Sequence, residues 1–235
     1  MHTRNIYSIV TVKDGRADSE EIIEIFTDMA SGKIQGDLKL LNYYRQIPVS
    51  YNAHIVNISR DRVEFKIHQN QALVMRFDKH TLIKSSHFSK GLGVHCFSAY
   101  INVHKEVAIL TRFAYAQIKA ERRGAVRVTV PTVISAVFVN SEIEISGSLL
   151  DISENGVSIL TNAEPLTGEE LQGTLTFSIA GNKLELASCL IKIMKTAEGF
   201  ICVFQYQLKG VSEKILSRYI YSRQVEIIKE LKEQL

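Results

Sequence analysis

The sequence has 235 residues, of which 46% are hydrophobic and 23% are charged, and its mean hydropathy is +0.02. This composition is that of a globular protein, and the length slightly favours two domains over one. The formal net charge of +3 is too small for a broad polyanion-binding surface, so any anion site must be local and built from a few placed cations.

Neither a membrane span nor a secretory signal is predicted. No window reaches the roughly 18 uncharged apolar residues of a membrane-spanning helix, and the first ten residues lack the apolar core of a signal peptide. Three cysteines at wide spacing suit a reducing compartment and predict no disulfide framework. We therefore expect a cytoplasmic protein.

The first half of the chain predicts a strand, a helix and then a β-meander. The strand covers 7–12, and the helix covers about 19–31, with Ser19 as its N-cap and Gly32 as its stop. Six runs with a period of two follow, which favours a small antiparallel barrel. These runs are SYNAHIVNIS (50–59), RVEFKIHQ (62–69), ALVMRFD (72–78), TLIKSSHF (81–88), GVHCFSAYINV (93–103) and VAILTRFAYA (107–116).

A charged segment, QIKAERRGA at 117–125, interrupts this rhythm, and we place a domain boundary near Ile118. The predicted domains are therefore 1–117 and 118–235. The second has six further β runs and a C-terminal helix at about 212–235. The fold class expected is mainly β, with two small antiparallel β-barrels in tandem, each with a flanking helix. The runs are VRVTVPTVISAVFV (126–139), IEISGSLLDIS (143–153), GVSILT (156–161), LQGTLTFSIA (171–180), KLELASCLIKIMKT (183–196) and GFICVFQYQL (199–208).

The two halves share an internal echo. VNISRDRVEF at 56–65 resembles LDISENGVSI at 150–159, which aligns Asn57 with Asp151 and Arg62 with Gly156. Two interpretations stay open: related barrels, or a chance match of similar strand–turn–strand chemistry.

Two short motifs in the second half predict an anion site. Arginines at 122, 123 and 127 form RRxxxR where a strand begins, and Asp151, Ser153 and Gly156 form DxSxxG at a turn. Each motif alone is weak, but the pair in this order is far more specific. Basic linkers are commonly exposed to solvent without binding a ligand, and the side chains of Asp-x-Ser turns commonly form hydrogen bonds within the turn. The occurrence of both motifs in one domain therefore decides the interpretation.

The residue types suit a guanine nucleotide. Arginine can donate two hydrogen bonds to guanine O6 and N7 or to a phosphate. A carboxylate at Asp151 can accept from guanine N1–H and the exocyclic amine. The Ser153 hydroxyl can bond a phosphate or the backbone, and Gly156 is expected to permit positive φ and to leave room for a ring.

RRxxxR followed by DxSxxG on a short-stranded β domain with a C-terminal helix resembles the PilZ family of bacterial cyclic di-GMP receptors. The resemblance covers about 118–235. It implies that the arginines hold guanine and phosphate while the DxSxxG turn holds the base edge. The N-terminal half is more weakly similar to the PilZ-like barrel of flagellar-brake-type receptors. The ligand-binding residues that the resemblance implies are Arg123, Arg127, Asp151, Ser153 and Gly156. We add Arg122 as a third cation beside them on physical grounds, and the sequence predicts no catalytic residue and no metal ligand.

The expected function is that of a non-enzymatic receptor whose ligand reorders the segment between two barrels. The expected partners are cyclic di-GMP and a protein of motility, pilus or polysaccharide machinery, without DNA and without a further cofactor. Two alternatives stay open: a split-barrel oxidoreductase that uses flavin or a nucleotide, and a PilZ-like adaptor that binds no ligand. The sequence does not decide between a monomer and a homodimer.

The histidines and cysteines of the first half predict no metal or catalytic site. His87, His95, Cys96 and His104 match no common zinc spacing, and neighbouring strand residues point to opposite faces. We interpret them as core or surface residues.

Overall fold

The computed structural model describes residues 6–88, 92–118, 125–165 and 170–233, and the chain is mainly β, which confirms the predicted fold class. The backbone divides into two compact units, one mainly before residue 119 and one mainly from residue 125. The domain limits near Ile118 stay a prediction, because 119–124 lie outside the described residues.

The first unit is a curled sheet with two helices. Its sheet order is β3-β2-β6-β7-β8-β5-β4, and β1 pairs with β8. Helix α1 covers the sheet with Ile22 and Phe26, which are fully buried, and the Phe26 ring meets Phe65 edge-on at 5.7 Å. The elements are β1 (Tyr7–Ile9), α1 (Gly15–Ala30), β2 (Lys39–Tyr44), β3 (Ile47–Asn52), β4 (His54–Ser59), β5 (Arg62–Lys66), α2 (Gln69–Phe77), β6 (His80–Lys84), β7 (Gly93–Asn102) and β8 (Val107–Ile118).

Helix α1 begins one turn earlier than predicted. Asp14, not Ser19, is the N-cap, and its Oδ1 accepts from the backbone N–H groups of Arg16 at 3.0 Å and Ala17 at 2.9 Å. The buried Asp18 carboxylate accepts from the N–H groups of the chain just before the helix, Val12 and Lys13. The sequence prediction was wrong because the segment DGRADSE contains several residues in succession that can serve as a helix N-cap.

Asp14→Ala is expected to lower the free energy of unfolding by about 1 kcal/mol, because two helix N–H groups lose their acceptor. Asp14→Ser should keep most of that stability, and Ser19→Ala should change little. Urea unfolding of the three variants checks this. A larger loss in Ser19→Ala than in Asp14→Ala would contradict the cap assignment.

Helix α2 corrects a second prediction, since the run ALVMRFD was expected to be a strand. His68 is the N-cap of this helix, and its Nδ1 accepts a hydrogen bond from Asn70 N–H at 3.1 Å. All residues of 71–75 are buried. Because this run is buried on every side of the helix, its sequence does not alternate with the helical period between apolar and polar residues. Gln71 is fully buried there and donates to the side chain of Asn42.

The second unit is a closed barrel. Its sheet order is β10-β13-β14-β15-β12-β11-β9, and β10 also pairs with β11, which closes the circle. The barrel core includes Phe138 and Phe204, whose rings lie 4.8 Å apart, and Leu216 and Ile220 of helix α3 join it. The elements are β9 (Val128–Thr129), β10 (Ser135–Val139), β11 (Glu144–Ser153), β12 (Gly156–Thr161), β13 (Leu171–Ile179), β14 (Asn182–Thr196), β15 (Gly199–Tyr206) and α3 (Val211–Lys232).

The internal echo corresponds to two hairpins with one register. Ser59 pairs with Arg62 across β4–β5, as Ser153 pairs with Gly156 across β11–β12. The residue skipped by a register shift lies three positions before each serine, between Ile55 and Asn57 and between 149 and 151. The strand order β4-β5-β8-β7-β6 also repeats as β11-β12-β15-β14-β13. This shared topology favours related units over a chance match.

Among the described residues, no helix is both long and apolar enough to cross a membrane.

Candidate functional site

The DxSxxG motif forms the tip of the hairpin between β11 and β12. Ser153 and Gly156 are cross-strand partners, so only residues 154 and 155 make the turn. The Ser153 hydroxyl donates to the Gly156 carbonyl at 3.1 Å and accepts from Asn155 N–H at 3.4 Å. We call Asp151, Ser153 and Gly156 with this turn the corner. Because Ser153 is buried, its hydroxyl serves the backbone of the corner, one of the two roles expected.

Gly156 is required by a close approach of the neighbouring strand. A Cβ atom at this position would lie 2.4 Å from the carbonyl oxygen of Phe204 in β15. The φ angle of Gly156 is not positive, so the expected left-handed conformation was wrong. The absence of a side chain lets β12 and β15 approach each other beside the corner.

Asp151 presents a carboxylate that is half-buried and held by its neighbours. Its cross-strand partners are Ser158 on β12 and Thr129 on β9. The Ser158 hydroxyl donates to Asp151 Oδ1 at 3.1 Å. This bond orients one carboxylate oxygen, and the group can accept further hydrogen bonds from a ligand.

Strand β9 brings the end of the arginine motif to the corner. Val128 pairs with Ile152, and both are fully buried on the core side. Because successive strand residues alternate between faces, Thr129, the cross-strand partner of Asp151, lies on the face opposite to that of Val128. Arg127 directly precedes β9 and is half-buried. The pairing of β9 with β11 therefore brings the chain that follows Arg127 beside the corner.

Arg122 and Arg123 lie outside the described residues. Their predicted roles stay predictions. Only the third arginine of RRxxxR has a described position, through β9.

Three residues that the sequence analysis did not single out contact the corner, and one of them is Ser217 of α3, whose hydroxyl donates to the Glu154 carboxylate at 3.0 Å. Tyr206 at the end of β15 donates its hydroxyl to the Ser153 carbonyl at 2.8 Å and lies 3.3 Å from the Gly156 carbonyl. Ser158 holds Asp151, as described above. Only strand pairing could reveal the tyrosine, because it lies 50 residues beyond the motif.

The histidines of the first unit contribute to a buried polar cluster. His80 Nδ1 lies 3.0 Å from the Tyr7 hydroxyl and 3.0 Å from His95 Nε2, and Tyr7 stacks on His95 at 4.6 Å. Burial, and then the neighbouring His80, lowers the pKa of His95 to about 4. Cys96 is fully buried, and burial raises the pKa of its thiol. His95 and Cys96 are thus core residues, one of the two settings that the sequence predicted.

Comparison with known proteins places the corner in a recognised domain. Residues 121–222 match the family model of the PilZ domain. An uncharacterized protein of Aquifex aeolicus (strain VF5) is 32% identical over 134 residues, which is 56% of this chain, and the match spans 64% of that relative's length.

Several solved structures are similar at low identity. The complex of Escherichia coli YcgR with c-di-GMP has a TM-score of 0.45 and 13% identity, with 100% of both chains covered. The K. pneumonia MrkH–c-di-GMP complex has a TM-score of 0.43 and 9% identity, covering 97% of this chain and 100% of that one. The Bacillus subtilis inhibitor of motility (MotI/DgrA) has a TM-score of 0.41 and 12% identity, covering 80% of this chain and 96% of that one.

Proposed function

We propose that this chain is a receptor for cyclic di-GMP, because residues 121–222 match the family model of the PilZ domain. One observation supports the proposal: β9, which begins directly after Arg127, pairs with β11 so that Thr129 lies opposite Asp151. The end of the arginine motif is thus close in the fold to the DxSxxG motif, from which it is separated by two dozen residues in the sequence. The proposed ligand residues are Arg122, Arg123, Arg127, Asp151, Ser153 and Gly156.

The chemistry of this face fits a guanine dinucleotide. A guanidinium group donates to O6 and N7 of guanine or to a phosphate in a bidentate manner, and its plane can stack on a purine. Asp151 supplies the acceptor that arginine lacks, for guanine N1–H and the exocyclic amine. A site that combines arginine cations with a carboxylate favours a ligand that has both negative phosphates and guanine edges.

The proposed output is a change in how the two units are arranged. The arginine motif begins in the segment that connects them, at 117–125. A ligand that draws this segment onto the corner would change the arrangement, because binding favours whichever state makes more contacts with it. That change would then regulate a protein partner in motility, pilus or polysaccharide machinery. The receptor would act by binding rather than by catalysis.

Isothermal titration of the purified chain with cyclic di-GMP tests the proposal. Wild type should bind at micromolar concentration or tighter, and Arg127→Ala and Asp151→Ala should weaken binding at least tenfold, since each removes a charged hydrogen-bonding group. Arg218→Ala, an exposed arginine on α3, is the matched control and should bind as wild type does.

Absence of binding by wild type would contradict the receptor proposal and favour the adaptor. A flavin absorption spectrum in the purified protein would instead favour the oxidoreductase.

A further inference from the structure

We propose that Tyr206 is a positioning residue whose hydroxyl holds the corner in its ligand-binding geometry, an inference that rests on the proposed function. The residue lies outside both motifs, and it can contact the corner because β12 pairs with β15. It would act through Ser153 and Gly156 rather than by touching the ligand.

The contacts of Tyr206 span both ends of the two-residue turn. Its hydroxyl has one proton, so the Ser153 carbonyl at 2.8 Å is the main acceptor, and the Gly156 carbonyl at 3.3 Å is the weaker one. Its backbone N–H donates to the Asn155 carbonyl at 3.1 Å. One residue therefore ties three residues of the corner, Ser153, Asn155 and Gly156, to β15.

The tyrosine is suited to a permanent role as donor. It is 4% exposed, so its ring is fixed by the barrel core, to which it belongs. Burial, and then the nearby Asp151 carboxylate, raises the pKa of Tyr206, which keeps the proton on its hydroxyl.

The hairpin of the first unit offers an internal comparison. Gly156 pairs with Gln205, which precedes Tyr206, and in the same register Arg62 pairs with Thr111, which precedes Arg112. The second unit thus has Gly156 on β12 and Tyr206 on β15, where the first unit has Arg62 on β5 and Arg112 on β8. Of the two units, the one with the DxSxxG motif is the one that has the tyrosine.

Tyr206→Phe tests the inference, since it removes the hydroxyl and keeps the ring that packs in the core. Binding of cyclic di-GMP is measured by calorimetry at a temperature where thermal unfolding shows every variant to be fully folded. We expect a dissociation constant about tenfold weaker than that of wild type. Tyr221→Phe, at a tyrosine on α3 that is 68% exposed, is the matched control and should bind as wild type does.

Amide hydrogen exchange adds a readout that does not depend on the ligand. In Tyr206→Phe the N–H groups of residues 153–156 should exchange at least about tenfold faster, while those of β13 and β14 keep the rate of wild type. Faster exchange throughout the barrel would indicate a general structural role and overturn the inference.

The outcomes separate the two proposals. If wild type binds, Arg127→Ala does not bind and Tyr206→Phe binds as wild type does, the positioning role is wrong and the receptor stands. If wild type does not bind, both are overturned.

Discussion

Replacing Gly156 with alanine is expected to lower the free energy of unfolding of the second unit by roughly 2 to 3 kcal/mol. The new Cβ would lie 2.4 Å from the Phe204 carbonyl oxygen, a backbone atom that cannot rotate away. Either β12 separates from β15 or the corner changes shape. Because Tyr206 ties the corner to β15 at this point, we also expect cyclic di-GMP binding to be lost.

Gly147→Ala is the matched control, because its Cβ would lie 2.3 Å from the Leu160 carbonyl oxygen across β11 and β12, at the end of this hairpin that is away from the corner. It should destabilise the barrel by a comparable amount, yet fully folded protein should bind the ligand almost normally. Gly36→Ala, with no atom within 4 Å of the new Cβ, should change neither property. Urea unfolding and calorimetry measure both. A Gly156→Ala variant with the unfolding midpoint of wild type would show that the close approach is unimportant.

The strands of the second unit could be predicted because their residues alternate between a core and an exposed face. In β13, Leu175 and Phe177 are buried while the residues between and beside them are more exposed, so the period of two is visible in the sequence. Helix α2 could not be predicted in this way, since both its faces are covered. Its start also depends on the side chain of His68, which is a rare N-cap.

The candidate site could be predicted only as a list of residues. RRxxxR and DxSxxG name the proposed side chains, and the pairing of β9 with β11 adds that the chain after Arg127 runs beside Asp151. The positive φ expected at Gly156 was wrong, and the close approach that requires glycine comes from Phe204, a residue far away in the sequence. Tyr206 was missed for the same cause: its contact exists only once β12 and β15 are in register. Long-range register is information that a local motif does not contain.

Acidification from pH 7 to pH 5 is expected to lower the free energy of unfolding of the first unit by about 2 kcal/mol. Burial and His80 hold the pKa of His95 at about 4, below its ordinary value of 6.5. Between these two values the unfolded chain binds a proton on this residue that the folded chain does not bind. Stability is therefore present above pH 6.5 and is lost as the pH falls toward 4.

The first physical cause is the burial of the imidazole, and the second is the neighbouring His80. One proton suffices for the hydrogen bond between His80 Nδ1 and His95 Nε2, which lie 3.0 Å apart. A second proton would place two N–H groups against each other in a site where His95 is 4% exposed. His95→Gln removes this titration, so its unfolding free energy should change much less between pH 7 and pH 5. His104→Gln, at an exposed histidine, should keep the pH dependence of wild type. If His95→Gln and wild type lose equal stability on acidification, the pH dependence arises at other residues.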